Sequence, residues 1–291
     1  MLEVSKLKVA VIVSIIVVIY IIMRIYHYTS VDTLEKILSG KSILFRRLDC
    51  VDDVMEYTVS EFAKYMFISC WTESKEENIP LWKMYTTDIT KGVRISLPQD
   101  MFKTYSPTPS GRYVKNQISA SLIPADEILS SDYMVVPVDL SRDKENEIFF
   151  RHVEYVLNPK IAVGKIKNLV CSNGKLYNVL DIDRLGRFKH KSWEFQQEVR
   201  FALTIFPFNP YNYAGKTDGL EKFANECAQM KDLSFSSYFL HLKDDIFDQL
   251  EITLSPNISK ESRKLVDNLV QQYAPKAIIK ESAFHNKVIF K

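Results

Sequence analysis

Glycine is scarce, with eight in 291 residues. None falls in the clustered Gly-x-Gly pattern that cradles phosphates in doubly wound nucleotide-binding folds. Cysteine is nearly as rare. Cys50, Cys70, Cys171 and Cys227 lie far apart with no C-x-x-C spacing, which argues against a zinc site or a disulfide framework and fits a reducing, cytoplasmic setting. No metal is expected. Net charge is low as well, at +2, so no dominant electrostatic attraction to nucleic acid operates, and nucleic acid is not an expected partner. Internal repeats and low-complexity linkers are also missing.

What is present begins with an apolar run. Fifteen residues, Val9 to Met23, separate Lys8 from Arg24, interrupted only by Ser14 and carrying one aromatic, Tyr20. As a helix they span roughly 22 Å, short of a hydrocarbon core of about 30 Å. Snorkelling of Lys6, Lys8 and Arg24 closes most of the gap. A cleavable signal needs small residues after the run, and Ile21 to Tyr26 offers none. The expectation is a single-pass anchor, residues 1–24, in the inner (cytoplasmic) membrane, followed by one domain over 25–291. The positive-inside rule is indecisive, because Lys6 and Lys8 face Arg24, Arg46 and Arg47; the cysteine usage places the domain in the cytoplasm.

Local signals outline that domain. Ser30 reads as an N-cap, Val31, Leu34, Ile37 and Leu38 as an apolar helical face, and Gly40 as a stop. Strands are expected at Ile43 to Arg46, Met66 to Trp71, Gly92 to Leu97, Tyr133 to Val138, Ile148 to Val156, Val199 to Ile205, Leu250 to Leu254, Ala277 to Lys280 and Lys287 to Phe290. Helices are expected at Val54 to Tyr65, from Pro80 through Tyr85, and at Lys260 to Tyr273. Residues 104–130 and Phe206 to Leu220 read as irregular. Strands outnumber helices without strict alternation, which predicts an α+β fold of mixed, largely antiparallel sheets with short flanking helices.

Four segments concentrate reactive side chains. Tyr26-His27-Tyr28-Thr29 puts a histidine between two tyrosines at a strand-to-helix junction, where it can donate to a ligand hydroxyl while a ring stacks; a satisfied structural histidine is the plainer reading. Asp49 to Glu56 bunches Asp52, Asp53 and Glu56 after Arg46-Arg47, and reads most simply as a solvated turn before a helix N-terminus. Ser69-Cys70-Trp71-Thr72-Glu73 is followed by Trp82 and Tyr85, three apart and so on one helix face, an arrangement more often core than a binding platform. No base can be assigned to make Cys70 a nucleophile. The last segment, Trp193 to Arg200, leads into an apolar strand, and alternation extended backwards puts Gln196, Glu198 and Arg200 on one face. A carboxylate there can stabilise a developing cationic sugar; a surface Glu198–Arg200 pair is the alternative.

Taken together, and in this order, Tyr26 to Thr29, Asp52-Asp53 with Glu56, Ser69 to Glu73, Trp82 with Tyr85 and Gly92, and Trp193 with Glu198 and Arg200 resemble the bacterial family called domain of unknown function 2971. Leu254-Ser255-Pro256 before a helix fits its ending. Asp52 stands where that family has Asn, Val54 where it has Pro, and Gln196 where it has the first Glu of the late motif. More distantly, the chain resembles the ADP-ribosyltransferase superfamily through Gln196-Gln197-Glu198. That resemblance implies NAD, or a related nucleotide, as substrate and an unidentified macromolecular acceptor. It implies that His27, Tyr85 and Glu198 are catalytic, with His27 on the nicotinamide ribose, Tyr85 or Tyr28 stacked on nicotinamide, and Glu198 stabilising the oxocarbenium-like state. Tyr28, Thr29, Arg46, Asp53, Trp82, Trp193, Gln196 and Arg200 are the expected ligand-binding set, Gln196 orienting the acceptor. A role in bacterial antiviral defence or as a toxin is what such a family suggests. Two other classes stay open: a non-enzymatic membrane-attached module that binds a nucleotide or protein, and a metal-dependent nuclease built on Asp52, Asp53, Glu198 and Lys191.

Overall fold

The computed structural model describes residues 23–57, 60–105, 121–128, 130, 132–136, 138, 147–172, 175–181, 184–209, 212–213 and 215–288. Its strands are β1 (Arg24–Ser30), β2 (Ser42–Arg47), β3 (Met66–Thr72), β4 (Gly92–Pro98), β5 (Met134–Val135), β6 (Phe150–His152), β7 (Glu154–Val156), β8 (Lys167–Ser172), β9 (Lys175–Leu180), β10 (Phe188–His190), β11 (Glu198–Phe206), β12 (Ser237–His241), β13 (Glu251–Leu254) and β14 (Ile278–Lys280). The α-helices are α1 (Val31–Gly40), α2 (Val54–Tyr57), α3 (Ile79–Tyr85), α4 (Ala125–Ile128), α5 (Pro159–Gly164), α6 (Gly219–Ala228) and α7 (Lys260–Tyr273). The architecture is α+β, as expected, and the pairing is antiparallel except for β13–β14 and β7–β10. Among the described residues no helix is long and apolar enough to cross a membrane. The expected anchor, apart from Met23 and Arg24, lies outside the described residues, and Arg24 is the first residue of β1.

Ten strands form the main sheet, in the order β12-β2-β3-β1-β4-β13-β14, with β11 on β3 and β5 and β6 on β11. One detail of this pairing positions the site. β11 pairs with β3 along the whole of one edge, from Thr72 opposite Glu198 to Met66 opposite Thr204. A strand has only two edges, so β1 and β2 must share the other one. β2 takes Phe67 and Ile68, and β1 takes Thr72 alone. Ser69, Cys70 and Trp71 therefore have no strand partner on that edge, and the sheet is split there. β1 instead zips along β4 over its full length, Arg24 opposite Pro98 through Ser30 opposite Gly92.

The core lies under this sheet. Leu34 and Leu38 of α1, Phe45, Phe67, Ile95, Phe201, Ile252 and Val266 of α7 belong to one buried apolar cluster, which supplies the main driving force for folding. α1 is started by the residue expected to cap it, Ser30 accepting from the amide of Thr33 at 3.2 Å; α7 is capped by Ser259, which accepts from the amide of Ser262 at 3.0 Å.

Several local expectations need correction. α1 ends at Gly40, but the left-handed residue is Lys41, with φ of 44°. The helix expected over Val54 to Tyr65 is cut short. α2 stops at Tyr57, and Ser60 starts a separate 3-10 turn, Glu61–Tyr65, by accepting from Phe62 N. The strand expected over Ile148 to Val156 breaks into β6 and β7, because the amide of Val153 turns to the carbonyl of Glu198. Lys287 is in a turn, its amide bonded to Phe284 O, and not in a strand; residues 289 and 290 lie outside the described residues. α6 and β12 were not foreseen. β12 alternates cleanly, with Tyr238 and Leu240 buried between exposed Ser237, Phe239 and His241.

Candidate functional site

The split in the sheet is the site. Where β1 leaves β3, the His27 ring bridges the gap, its Nδ1 2.9 Å from the carbonyl oxygen of Cys70. A carbonyl can only accept, so Nδ1 carries the proton. Burial lowers the His27 pKa, against the opposing effect of the Cys70 bond, so the ring is neutral at pH 7. Nε2 is then a bare acceptor. His27 is thus set up to accept from a ligand hydroxyl and not to donate to it, the reverse of the role read from the sequence. Its ring lies 5.1 Å from that of Trp71.

Two cavities meet at this point. The smaller, of about 60 Å³, is lined by Tyr26, His27, Tyr28, Cys70, Trp71, Thr72, Leu81, Tyr85, Gln196 and Glu198. The larger, of about 280 Å³, shares His27, Cys70, Trp71, Tyr85 and Glu198 with it and extends past Arg46, Asp53, Lys189, Trp193 and Arg200. His27, Tyr85 and Glu198, far apart in sequence, therefore face one cleft. Of the eleven residues singled out from the sequence, nine line one cavity or the other.

Thr29 and Trp82 line neither. Thr29 is buried within β1 opposite Val93. Trp82 is completely buried in a small cluster with Tyr28 and Leu81, its indole donating to Glu77 at 2.9 Å. Although three residues apart on α3, Trp82 turns inward while Tyr85 faces the cleft, so the two rings do not form one platform. Tyr28 is held edge-on by Trp82, with ring centres 4.8 Å apart, and its hydroxyl accepts from the amide of Asn78.

At the head of β11 sits a buried charge cluster. Oε1 of Glu198 accepts from Nε of Arg200 at 2.6 Å, and Oε2 from Nζ of Lys189 at 2.8 Å. Burial works to raise the Glu198 pKa, but the combined pull of Arg200 and Lys189 outweighs it and lowers the value to about 2. Glu198 is a carboxylate at any physiological pH. Arg200 in turn grips both oxygens of Glu56 and donates to Gly186 O at 2.9 Å. Gly186 offers that carbonyl from a left-handed turn, φ 75°, a conformation that favours glycine.

Glu198 and Arg200 thus share a face, as alternation along a strand requires, but the pair is buried rather than on the surface. Glu56 is likewise buried, so the reading of Asp49 to Glu56 as a solvated turn fails at its last residue: the guanidinium of Arg200 draws that carboxylate inward. Asp53 is buried as well and caps the start of α2 by accepting from Met55 N.

Gln196 reaches the cluster by another route than the sequence suggested. It belongs to a 3-10 turn, Lys191–Gln196, and Gln197 has φ of 43°, which breaks the strand alternation. Its amide nevertheless links the site: Oε1 accepts from Lys189 at 2.8 Å and Nε2 donates to the Tyr85 hydroxyl at 2.8 Å. Burial and the Glu198 charge push the Tyr85 phenol up, so it stays protonated. Cys70 is no nucleophile, since burial and Glu198 push its thiol well above the ordinary range; the thiol hydrogen-bonds with the Glu198 carboxylate.

Lys189 is the member of the site that sequence reasoning missed. It sits on β10, which pairs with β7 and not with β11, so no spacing rule connects it to Glu198. The nuclease alternative finds no support: among the described residues no group of three or more His, Cys, Asp or Glu side chains could hold a metal ion.

No family model and no curated protein matches the chain, so membership of the family resembled by its motifs is not established. Two solved structures of DarT from Thermus sp. 2.9 are similar to it. One is in complex with ADP-ribosylated ssDNA, with 9% identity, a TM-score of 0.32, and coverage of 91% of this chain and 95% of that chain. The other is in complex with NAD+, again with 9% identity and a TM-score of 0.32, covering 90% and 96%. A likeness of that size transfers no property to this chain.

Proposed function

We propose that the cleft in the split sheet binds NAD or a closely related nucleotide and cleaves its nicotinamide–ribose bond, passing ADP-ribose to an acceptor or to water. The observation that carries this reading is a buried carboxylate, Glu198, fixed between Arg200 and Lys189 and sharing one small cavity with an acceptor-form histidine and the rings of Tyr85 and Trp71. Breaking the glycosidic bond sends its electron pair out with neutral nicotinamide and leaves positive charge on the sugar. A fixed carboxylate beside that carbon stabilises the charge as it develops, and a buried one needs no solvent rearrangement to do so. In this scheme His27 Nε2 accepts from a ribose hydroxyl, and Tyr85 and Trp71 flank the nicotinamide ring. Gln196 positions Tyr85. The acceptor adds to the sugar carbon and loses its proton, completing the transfer.

One feature favours a second reading, a module that binds the nucleotide without turning it over. Both oxygens of Glu198 already accept strong hydrogen bonds. Turnover separates the two. Purified full-length protein incubated with NAD is expected to release free nicotinamide; NAD binding with no release would favour the module, and neither binding nor release would remove both readings.

A further inference from the structure

The charges around Glu198 cancel. Glu198 and Glu56 carry two negative charges, Arg200 and Lys189 two positive ones, and all four residues are buried. Arg200 is fixed in place by Glu198, by both oxygens of Glu56 and by the Gly186 carbonyl. Lys189 is held differently. Its ammonium is attached only to the ends of two side chains, Glu198 Oε2 and Gln196 Oε1, and lies 5.0 Å from the centre of the Trp193 ring. It is a compact charge on a flexible stem, whereas Arg200 is a rigid fork.

A cationic ligand group arriving beside Glu198 would leave this cluster with one surplus buried charge, and an uncompensated buried charge is costly. Withdrawal of Lys189 into the larger cavity, whose wall it already forms, keeps the cluster neutral. The Trp193 ring, already 5.0 Å from the ammonium, lines that cavity too, so the departing cation keeps an aromatic face beside it. We propose that Lys189 is an internal counter-cation that exchanges with the positively charged pyridinium ring of the ligand at Glu198, and so sets a preference for the oxidised, cationic nicotinamide ring over a neutral one. The proposal rests on the nicotinamide reading above and deepens it.

The test uses two small probes that cannot be cleaved: 1-methylnicotinamide, a permanent pyridinium cation, and nicotinamide, the neutral ring. Each is titrated calorimetrically into the full chain, wild type and Lys189→Met. Removal of the competing cation is expected to raise the affinity ratio of cation to neutral ring about tenfold, the worth of one charge-assisted hydrogen bond. Lys189→Arg, which keeps a cation, is expected to hold the ratio at the wild-type level. If circular dichroism shows Lys189→Met to be unfolded, Lys189→Gln serves the same comparison.

An equal change for both probes, a fall in the ratio, or no binding of the cation to any variant would overturn the exchange. The result separates from the enzymatic reading. A wild type that releases no nicotinamide from NAD, with the ratio still raised in the variant, removes turnover and keeps the exchange; release with an unchanged ratio removes the exchange alone.

Discussion

Replacing Arg200 by methionine is expected to destabilise the domain by about 3–5 kcal/mol, the usual cost of stranding a buried charge. Arg200 holds two carboxylates at once, Glu198 and Glu56, in a site where each is almost wholly buried. Without the guanidinium, Lys189 alone faces two negative charges, and one carboxylate must take up a proton or pull water inward. The loss is comparable with a large part of the stability of an ordinary domain. It is measured as a fall in the urea midpoint. Adding Glu56→Gln to Arg200→Met should recover part of it, because one stranded charge is removed; a single variant as stable as wild type would show the cluster to be far more hydrated than its burial implies.

Within the cluster the two carboxylates make stability depend on pH in opposite directions: Arg200 and Lys189 hold the Glu198 pKa down, while burial raises that of Glu56. The Glu198 carboxyl titrates near 2 in the folded chain against a reference value of 4.5. A group whose pKa is depressed on folding stabilises the fold above its unfolded value and loses that contribution as pH falls toward the folded one. The contribution of Glu198 is therefore expected to be lost between about pH 4.5 and 2, and stability measured against pH for wild type and Glu198→Gln should differ by that loss over this window.

The largest effect on activity is expected from Glu198→Gln. Gln is nearly the same shape but cannot oppose a developing positive charge, and removal of one preorganised electrostatic group typically costs about 10²- to 10³-fold in kcat. The effect should fall on kcat more than on KM, since the charge reaches the sugar only as the bond breaks, while loss of the carboxylate also weakens ground-state binding of the cationic pyridinium. The measurement is nicotinamide release by wild type and variant under saturating NAD, with circular dichroism confirming the fold. Equal rates would show that Glu198 serves the structure only, as one more member of the charge cluster.

Much of the local structure was legible because its determinants are close in sequence. Ser30 announces α1, and α7 runs over Lys260 to Tyr273, as expected. The apolar runs at Met66 and Val199 become β3 and β11. The site itself depends on contacts that no local pattern encodes. The split between β1 and β3 exists only because β11 occupies the far edge of β3, while the pairing of β2 with β3 stops at Ile68. Trp82 and Tyr85 have the spacing of a shared platform, and only packing against Tyr28 decides that one is core. The left-handed Gln197 interrupts the alternation that seemed to align Gln196 with Glu198. Lys189 reaches Glu198 from β10, a strand too short to stand out. The expected helix at Val9 to Met23 lies outside the described residues, and its reading stays that of the sequence.

Calorimetric titration of NAD into the wild-type chain, His27→Ala and Tyr85→Ala tests most directly whether the split in the sheet is the binding site. The wild type should bind NAD at a single site, and each substitution should weaken binding by about tenfold or more, the worth of one hydrogen bond or one stacked ring in a closed cleft. Binding by the wild type should also fade on acidification as His27 takes up its second proton, which burial holds below the ordinary histidine range. NAD affinity unchanged in both variants, or no binding by the wild type, would contradict the account.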